Sequence, residues 1–379
     1  MTLAFVTNFI NHHQLPLADE FYKIFGNDYY YIATQPLPDW LINGGYNPQL
    51  ERPYIIRTYE GEEQLTKAHK IIDVSDVVII GSAPIDWVYK RKLKNKITFH
   101  YNERWLKTVS LKTFSPRTLY YIFKNHFQFR NKNTYMLCAS AFTASDVHKF
   151  GCYPKKCFKW GYMTKVDSQY IQTPLKNHKS NAASLMWCSR FITWKHPELP
   201  VLLAERLKKK GYNFVIDMFG GGEKLDETKL LAQKLDVLDV VKFCGNRPNE
   251  EILQEMRNHS IFLFTSDRGE GWGAVANEAM SNGCALVAGN EIGAVPFLIK
   301  DKINGCIFKS KDLDSLEEKV CFLLNNPQAM KNIQQEAIRT MREIWSPKNA
   351  AECFIKLVEY IQLGKLNQYN IYDGPASWA

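Results

Sequence analysis

Short apolar runs recur along the first half of the chain, and helical patterns follow them. The runs lie at 3–9, 29–33, 77–81, 96–100 and 135–140. A helical pattern from Gln14 to Ile24 follows the first run. Apolar runs of this length that alternate with amphipathic helices are typical of buried strands in a parallel sheet with crossover helices.

The same alternation starts again after a polar segment without clear periodicity. Strands are predicted at 184–190, 212–220, 240–245, 261–266 and 284–289. Helices are predicted at 196–210, 223–235, 249–259, 274–282, 312–325, 328–343 and 348–364. The chain therefore carries two α/β patterns in series.

Two such patterns in 379 residues predict an α/β protein with two Rossmann-like, doubly wound domains. The first domain is expected over 1–165, a linker over 166–182 and the second domain over 183–350. A C-terminal helix and tail, 351–379, is expected to pack back toward the first domain. Because ligands bind beyond the carboxyl ends of such strands, the facing ends of both sheets are expected to form one cleft.

Composition narrows the class of protein. With 45% hydrophobic and 23% charged residues the chain is typical of globular proteins. A membrane-spanning helix is not expected, since no apolar run reaches about 18 residues, and the start lacks the features of a signal peptide. The nine cysteines are scattered without metal-site spacing and are expected to be reduced thiols, which favours a cytoplasmic location.

The net charge of +9 is unevenly spread. Between Val88 and Lys132 basic residues are interleaved with aromatic ones, and Glu103 is the only acid. The basic residues there are Lys90, Arg91, Lys92, Lys94, Lys96, Arg104, Lys107, Lys112, Arg117, Lys124, Arg130 and Lys132. This basic stretch fits a surface that faces anionic lipid, nucleic acid or a phosphorylated substrate. A solvated surface over core aromatics is the alternative.

The segment 270–289, EGWGAVANEAMSNGCALVAG, joins a predicted strand to a helix through a glycine turn. Gly271 and Gly273 permit a tight turn whose amides face an anionic or hydroxyl-rich ligand. Glu278 follows Glu270 after seven residues, and its carboxylate is placed to accept hydrogen bonds from a ribose. The alternative is a purely structural role, in which the glutamate only stabilises the first turn of the helix.

Arg190 and Lys195 lie in SRFITWK, just after the first strand of the second domain. A diphosphate leaving group gathers negative charge as its bond to a sugar breaks. Two fixed cations stabilise that charge more in the transition state than before it. The pair therefore predicts a phosphate site.

The E-x7-E segment resembles the signature of the retaining family 4 glycosyltransferases, which have the GT-B fold. The resemblance implies that Glu270 contacts the donor sugar and Glu278 the nucleotide ribose, with the amides from Gly271 through Trp272 and Gly273 to Ala274 near the sugar. It also assigns the diphosphate to Arg190 and Lys195. In this chain His196 stands where relatives often have a glycine after the lysine.

Weaker family features surround these motifs. Gly220 lies in a glycine turn, FGGGEK, that resembles the corresponding loop of the family. The strand at 241–245 resembles the one whose following loop packs on the nucleobase, so Gly245, Asn246 and Arg247 are candidates for the base site.

Candidates in the first domain are on the acceptor side. His100 ends a predicted strand and matches the family's active-site histidine, which implies contact with the donor sugar or the reacting centre. Asn11, His12 and His13 replace a glycine-rich turn that many relatives have after the first strand, and they are expected near the acceptor or the phosphates. Further acceptor-side candidates are Glu103 and Arg104.

The resemblance implies transfer with retention of the donor's anomeric configuration, and same-face attack is the favoured mechanism. Because Arg190 and Lys195 can take the electrostatic role of an ion, neither a metal ion nor any other cofactor is expected. The resemblance also implies a nucleotide diphosphate sugar as the donor substrate. For the loop after the first strand, a metal site built on His12 and His13 is the alternative interpretation.

The expected acceptor is a glycan or a polyprenyl-diphosphate or other lipid-linked molecule of cell-envelope polysaccharide or oligosaccharide synthesis. The basic stretch 88–132 then predicts peripheral association with an anionic membrane on its cytoplasmic face. A nucleic-acid partner is not expected, because no recognition motif accompanies the charge. Two rivals are a sugar-nucleotide epimerase of the same fold and a non-catalytic sugar-nucleotide-binding membrane scaffold.

Overall fold

The structure is a computed structural model that describes residues 1–42, 51–108, 111–166 and 182–379. The chain divides into two compact units, described separately below. The first unit comprises Met1–Lys165 together with Ile344–Ala379, and the second comprises Val166–Glu343. Most of the predicted linker, 167–181, lies outside the described residues.

The first unit contains a seven-stranded parallel sheet with the order β3-β2-β1-β4-β5-β6-β7. Its strands are β1 Leu3–Thr7, β2 Tyr29–Ala33, β3 Ile55–Arg57, β4 Val77–Ile80, β5 Ile97–Asn102, β6 Thr134–Cys138 and β7 Cys157–Lys159. Its helices are α1 Leu15–Phe25, α2 Asp39–Ile42, α3 Glu62–Val74, α4 Tyr89–Leu93, α5 Pro116–Asn125, α6 Thr143–His148 and, from the C-terminal segment, α14 Pro347–Gln362.

The second unit contains a six-stranded parallel sheet with the order β10-β9-β8-β11-β12-β13. Its strands are β8 Ala183–Cys188, β9 Phe214–Phe219, β10 Val241–Gly245, β11 Ile261–Phe264, β12 Ala285–Gly289 and β13 Cys306–Phe308. Its helices are α7 Glu198–Lys209, α8 Leu225–Lys234, α9 Asn249–Asn258, α10 Val275–Ser281, α11 Val295–Leu298, α12 Leu313–Asn325 and α13 Pro327–Arg339.

The predicted apolar runs are confirmed as strands of the two sheets. Every residue of β1, β4, β6, β11 and β12 is buried, as expected for parallel strands that are covered on both faces. The strands β3, β7 and β13 were not predicted as strands. Each has three residues, too few to show a periodicity.

The C-terminal segment belongs to the first unit through α14, which packs on α1. The ring of Phe354 lies 5.5 Å from that of Phe21, 4.9 Å from Phe99 and 5.7 Å from Trp160, measured between centroids. This cluster closes the core of the first unit with a helix that follows the second unit in sequence. The predicted boundary was 350, and the compact units divide at 343.

Two cations of the basic stretch are not at the surface, so its interpretation as a continuous basic surface is wrong at these positions. Arg91 and Lys92 are fully buried. Arg91 donates to backbone carbonyls including that of Ile97, at 2.8 Å, and Lys92 donates to the carbonyl of Asn125 at 2.7 Å. Burial lowers the pKa of Arg91 to about 10 and that of Lys92 to about 7.

The described helices include none with the length and apolar character needed to cross a bilayer. All nine cysteines carry free thiols.

Candidate functional site

A buried ion pair joins two predicted site residues of the second unit. Lys195 ends a short 3₁₀ turn after β8, and its ammonium contacts the carboxylate of Glu270. Both side chains are 11% exposed. The Ser266 hydroxyl donates to the same carboxylate at 3.0 Å, and the Trp194 ring centroid lies 4.4 Å from the lysine nitrogen. The structure thus brings together two residues that are 75 positions apart.

Thr265, which the sequence analysis missed, ties the Lys195 loop to the end of β11. Its hydroxyl donates to the carbonyl of Lys195 at 2.7 Å and lies 3.2 Å from the carbonyl of His196. The indole nitrogen of Trp187 donates to the same hydroxyl at 2.8 Å. These hydrogen bonds position the loop from inside the core, where a threonine in an apolar strand gives no sequence signal.

Asp267 organises the segment that leads to Glu270. Its carboxylate accepts from the backbone N–H of Gly269 at 2.8 Å and lies 3.2 Å from His196 Nε2 and 2.9 Å from the ammonium of Lys311. Burial raises the pKa of the Asp267 carboxyl, but these partners lower it by more, so the net effect is a lowered pKa. The loop therefore keeps a fixed shape.

His196 occupies the left-handed region, with φ of 52°. A glycine is the usual residue in this conformation. The histidine is held there by Glu198, 2.8 Å from Nδ1, and by Asp267 on the other ring nitrogen. The hydrogen bond with Glu198 is the largest cause of its raised pKa, and burial opposes it.

The turn between Glu270 and α10 requires glycine at Gly273, where φ is +91°. A Cβ atom there would lie 2.5 Å from the ring of Phe264. Gly271 and Ala274 flank this turn. The Trp272 indole is fully buried and donates to Asn277 at 2.9 Å, so only the backbone of this predicted residue is placed to face a ligand.

Glu278 lies in α10 and is 9% exposed. Burial raises its pKa to about 7, against the hydrogen bond that Asn249 donates to it at 3.2 Å. Such a carboxyl group can accept or donate hydrogen bonds near neutral pH. Asn249 begins α9 and was not among the predicted site residues.

The base-site candidates lie where three loops of the second unit meet. Gly220, with φ of +122°, has no room for a Cβ atom, which would lie 1.9 Å from the carbonyl oxygen of Ser189. Its N–H donates to the carbonyl of Gly245 at 2.9 Å. A Cβ at Gly221 would approach the amide of Asn246 to 3.3 Å.

Two predicted cations of the second unit reach the surface. Arg190 follows β8 and is exposed, with its guanidinium carbon 5.9 Å from the Trp194 ring centroid. Arg247 is half-exposed and lies 3.9 Å from Glu251. Arg190 therefore shares its aromatic neighbour with Lys195.

The first unit has a polar pocket of about 410 Å³ beyond β1 and β5. It contains three of the acceptor-side candidates, Asn11, Glu103 and Arg104, whereas His12 and His13 are not among its lining residues. The full lining is Thr7, Asn8, Phe9, Asn11, Gln14, Gly81, Ser82, Tyr101, Asn102, Glu103, Arg104, Trp105, Lys107, Ala139 and Tyr162.

The charged side chains of this polar pocket are held by partners. Glu103 lies 2.5 Å from Lys107, and Arg104 lies 3.6 Å from the buried Asp146 and 4.6 Å from the ring of Phe142. His13 donates its backbone N–H to the Asn11 side chain at 2.9 Å. The pocket therefore presents fixed carboxylate, guanidinium and amide groups to a ligand.

His100 lies in a second cavity of about 340 Å³, which we call the histidine pocket. It lies within β5, two residues before the strand ends at Asn102, rather than at the end as predicted. It is 2% exposed, and its ring centroid lies 5.0 Å from that of His126. His126 in turn is hydrogen-bonded to the Tyr153 hydroxyl at 2.6 Å.

Both histidines of this pocket favour the neutral form. Burial, with the nearby cation of Lys92 and with His126, lowers the pKa of His100 well below its usual value. Burial and Lys92 lower the pKa of His126 to about 3. The Nε2 atom of His100 has no hydrogen-bond partner among the described residues.

Comparison with solved structures identifies the fold. Anabaena HepE, solved in complex with UDP, superposes with a TM-score of 0.70 over 95% of this chain and 100% of its own, at 14% identity. At that identity the likeness shows the fold alone. Together with the two Rossmann-like units, it establishes the GT-B fold.

Sequence comparison points to a family for the second unit. Residues 174–340, fewer than half of the chain, match the family model of glycosyl transferases group 1. An uncharacterized glycosyltransferase of Haemophilus influenzae is 30% identical over 122 residues, which are 32% of this chain and 34% of the relative. A GDP-mannose-dependent α-(1-6)-phosphatidylinositol monomannoside mannosyltransferase of Mycolicibacterium smegmatis is 27% identical over 146 residues, 37% of this chain and 38% of its own.

These matches span little more than a third of the length of the two curated relatives. The matched family segment contains Arg190, Lys195, Glu270 and Glu278. The comparisons thus support the group 1 glycosyltransferase family for the part of the chain that holds the predicted donor site.

Proposed function

We propose that the protein transfers a sugar from a nucleotide diphosphate sugar to a lipid-linked or glycan acceptor. The observation that carries this proposal is the buried pair of Lys195 and Glu270, fastened by Ser266 and followed by the glycine turn and Glu278. These groups supply a cation for phosphate and carboxylates for hydroxyl groups within one compact unit. HepE, of the same fold, was solved with UDP.

In the proposed donor site Arg190 and Lys195 bind the diphosphate. Lys195 is already buried and fixed by its backbone hydrogen bond to Thr265, so little ordering is required when a phosphate arrives. Arg190 is exposed and closes on the phosphate from the same loop. Fixed cations in a site of low dielectric stabilise the developing charge more strongly than in water.

Glu270 and Glu278 orient the two ends of the donor. Glu270 contacts the hydroxyls of the sugar, with the amides of Gly271 to Ala274 beside it, and Glu278 contacts the ribose. Gly220, Gly245, Asn246 and Arg247 face the base. The left-handed turn at Gly273 separates Glu270, before the turn, from Glu278, within α10.

We propose that transfer retains the anomeric configuration through attack on the face that the leaving group departs from. The bond between the anomeric carbon and the phosphate oxygen breaks, and its electron pair stays on the diphosphate. The acceptor oxygen forms the new bond, and its proton passes to the leaving phosphate oxygen. His100, by its family resemblance, is assigned to the reacting centre. Trapping a covalent glycosyl-enzyme on a carboxylate would refute this mechanism.

The proposed reaction needs no metal ion, since Arg190 and Lys195 neutralise the diphosphate. Transfer rates measured with EDTA should stay within about twofold of those measured with added magnesium or manganese. A rate that falls at least tenfold in EDTA and returns with one of these ions would contradict this part of the proposal.

The acceptor is assigned to the polar pocket of the first unit. Its carboxylate, guanidinium and amide groups suit a glycan or a phosphorylated head group. The mycobacterial relative is named for a phosphatidylinositol mannoside, a glycolipid acceptor. We propose on this basis a place in cell-envelope polysaccharide or oligosaccharide synthesis.

Peripheral membrane binding is proposed through α5 and the turn before it. Phe114, Tyr120 and Phe123 are more than half exposed, and Arg117 and Lys124 lie on the same helix. Exposed aromatic side chains with basic neighbours suit the interface of an anionic bilayer. Arg91 and Lys92 are excluded from this surface because they are buried.

The test of the donor site is a thermal-shift titration with nucleoside diphosphates and sugar nucleotides, without metal. One nucleotide family should raise the melting temperature by several degrees. Glu278→Ala and the double variant Arg190→Ala/Lys195→Ala should abolish the shift, whereas Lys229→Ala, an exposed lysine on α8, should keep it. The proposal fails if no nucleotide shifts the wild type, even with added divalent metal.

A further inference from the structure

We propose that the histidine pocket binds the hydrocarbon chain of an amphiphilic acceptor whose polar head occupies the polar pocket. The inference rests on the proposed function in treating the ligand as the acceptor. It assigns a ligand to the apolar cavity beside His100, the residue that the proposed function places at the reacting centre.

The linings of the two pockets differ in chemistry. The polar pocket contains the charged residues Glu103, Arg104 and Lys107. None of the described residues that line the histidine pocket is an acid, a lysine or an arginine. More than half of that lining is apolar or aromatic: Ile80, Ala83, Ile85, Trp105, Leu106, Tyr121, Ile122 and Phe150. A cavity of about 340 Å³ with such walls favours an apolar group.

The two pockets adjoin each other, because Gly81, Ser82, Asn102 and Trp105 line both. One ligand can therefore extend from the charged cavity into the apolar one. Only a molecule with a polar end and an apolar end matches both linings. A lipid phosphate or a glycolipid has this form, whereas a free oligosaccharide does not.

The lining of the histidine pocket, as far as the structure describes it, includes one buried polar atom without a hydrogen bond. His100 is 98% buried, and its Nε2 atom makes no hydrogen bond with the described residues. An unsatisfied buried nitrogen is costly, so an oxygen at the link between chain and head group would be stabilised there. Asn102, which borders both pockets, lies two residues further along the same strand.

The outer side of the pocket is formed by α5, the helix with exposed aromatic side chains. Thr118, Tyr121 and Ile122 line the pocket, while Tyr120 and Phe123 of the same helix are exposed. A chain that leaves a bilayer at this helix therefore meets an apolar path into the protein. This continuity favours a hydrocarbon chain over a water-soluble aglycone.

The experiment fills the pocket from two walls. Thr118→Phe adds a ring from α5, and Ala83→Leu adds carbon atoms from the loop after β4. Two variants are used so that the test still holds if one of them fails to fold. Leu119→Phe is the matched control, since Leu119 neighbours Thr118 but is exposed and does not line the pocket. Calorimetric titrations on the full chain use decyl phosphate, decanol, inorganic phosphate and methyl α-glucoside.

Decyl phosphate should bind the wild type and Leu119→Phe with affinities within twofold of each other. Its affinity should fall at least tenfold in Thr118→Phe and in Ala83→Leu. Inorganic phosphate alone should bind weakly and equally to all four proteins. His100→Leu should weaken decyl phosphate about fivefold, because it removes the hydrogen-bonding nitrogen but keeps the pocket apolar.

Three results would overturn the inference: no binding of either chain-bearing probe, equal binding of decyl phosphate to the filled variants, or a methyl glucoside site that the filled variants lose. The last result would make the cavity a glycan subsite. Nucleotide thermal shifts on the same samples report the donor site independently. A normal shift with failed chain binding would therefore refute only this inference.

Discussion

At the scale of single residues, burial decides what the ionisable groups of the second unit can do. Lys195 and Glu270 are buried as a pair, so each compensates the charge of the other. Glu278 is buried and accepts a hydrogen bond from the amide of Asn249, and burial raises its pKa to about 7. Near neutral pH Glu278 is therefore present in both its protonated and its charged form.

The raised pKa of Glu278 predicts a pH-dependent stability. A carboxyl group whose pKa is higher in the folded than in the unfolded chain stabilises the fold below about pH 4.5 and loses that contribution as the pH rises through about 7. Glu278→Gln should therefore raise the free energy of unfolding by up to about 3 kcal/mol at pH 8. The gain should vanish near pH 4.5.

Urea unfolding of the nucleotide-free protein at both pH values measures this difference. Glu251→Gln is the control, because that side chain is 58% exposed. A gain for Glu278→Gln that is the same at pH 4.5 and pH 8 would rule out the titration of Glu278 as its cause.

The turn at Gly273 leads to a second prediction. Gly273→Ala should destabilise the second unit through both its left-handed φ and the collision with Phe264. Gly211→Ala, with φ of +76° and open space around the Cβ position, carries only the first penalty, about 1 kcal/mol. Gly273→Ala should cost at least twice as much in urea unfolding. Equal losses in the two variants would mean that the Phe264 ring moves aside freely.

At the scale of elements, α5 is divided between core and surface. Ile122 and Asn125 are buried against the first unit, whereas Tyr120 and Phe123 project outward. Its N-terminus is capped by Ser115, whose hydroxyl accepts from the N–H of Thr118 at 3.3 Å. The helix is therefore capped at its start and anchored on its core side, while the aromatic side chains of its other side face solvent.

This exposed side predicts binding to anionic vesicles. The double variant Tyr120→Ser/Phe123→Ser should reduce co-sedimentation with phosphatidylglycerol vesicles about tenfold at low salt, because it removes two aromatic side chains from the interface. Leu230→Ser, which changes a residue that is 66% exposed on α8, should leave sedimentation unchanged. If the wild type does not sediment with these vesicles, the membrane proposal is wrong.

At the scale of the whole molecule, the chain forms the first unit, then the second, and returns to the first. Its last helix, α14, completes the first core through Phe354. Stability of the first unit therefore depends on residues synthesised after the second unit is complete.

Phe354→Ala should destabilise the first unit by about 3–5 kcal/mol, since it leaves a cavity among Phe21, Phe99 and Trp160. Hydrogen exchange followed by mass spectrometry should show faster exchange in peptides from β1 and β6 and little change in peptides from β8 and β12. Leu363→Ala, two thirds exposed just beyond α14, should change neither set. Equal loss of protection in both units would contradict this division.

The sequence alone predicted the elements with strong periodicity and the residues with motif spacing. The long strands were found because a strand covered on both faces must be apolar throughout. The E-x7-E spacing placed Glu270 before the turn and Glu278 within α10, as observed. The alternation predicted two doubly wound domains, and the family resemblance implied the GT-B fold; both are confirmed.

Only the tertiary structure decided which side chains meet and which are buried. The contacts of Lys195 with Glu270 and of His196 with Asp267 join residues more than seventy positions apart, which no local pattern encodes. Arg91 and Lys92 look in sequence like surface cations, yet carbonyl partners allow their burial. Local periodicity reports the environment of an element, whereas pockets and ion pairs depend on how distant elements pack.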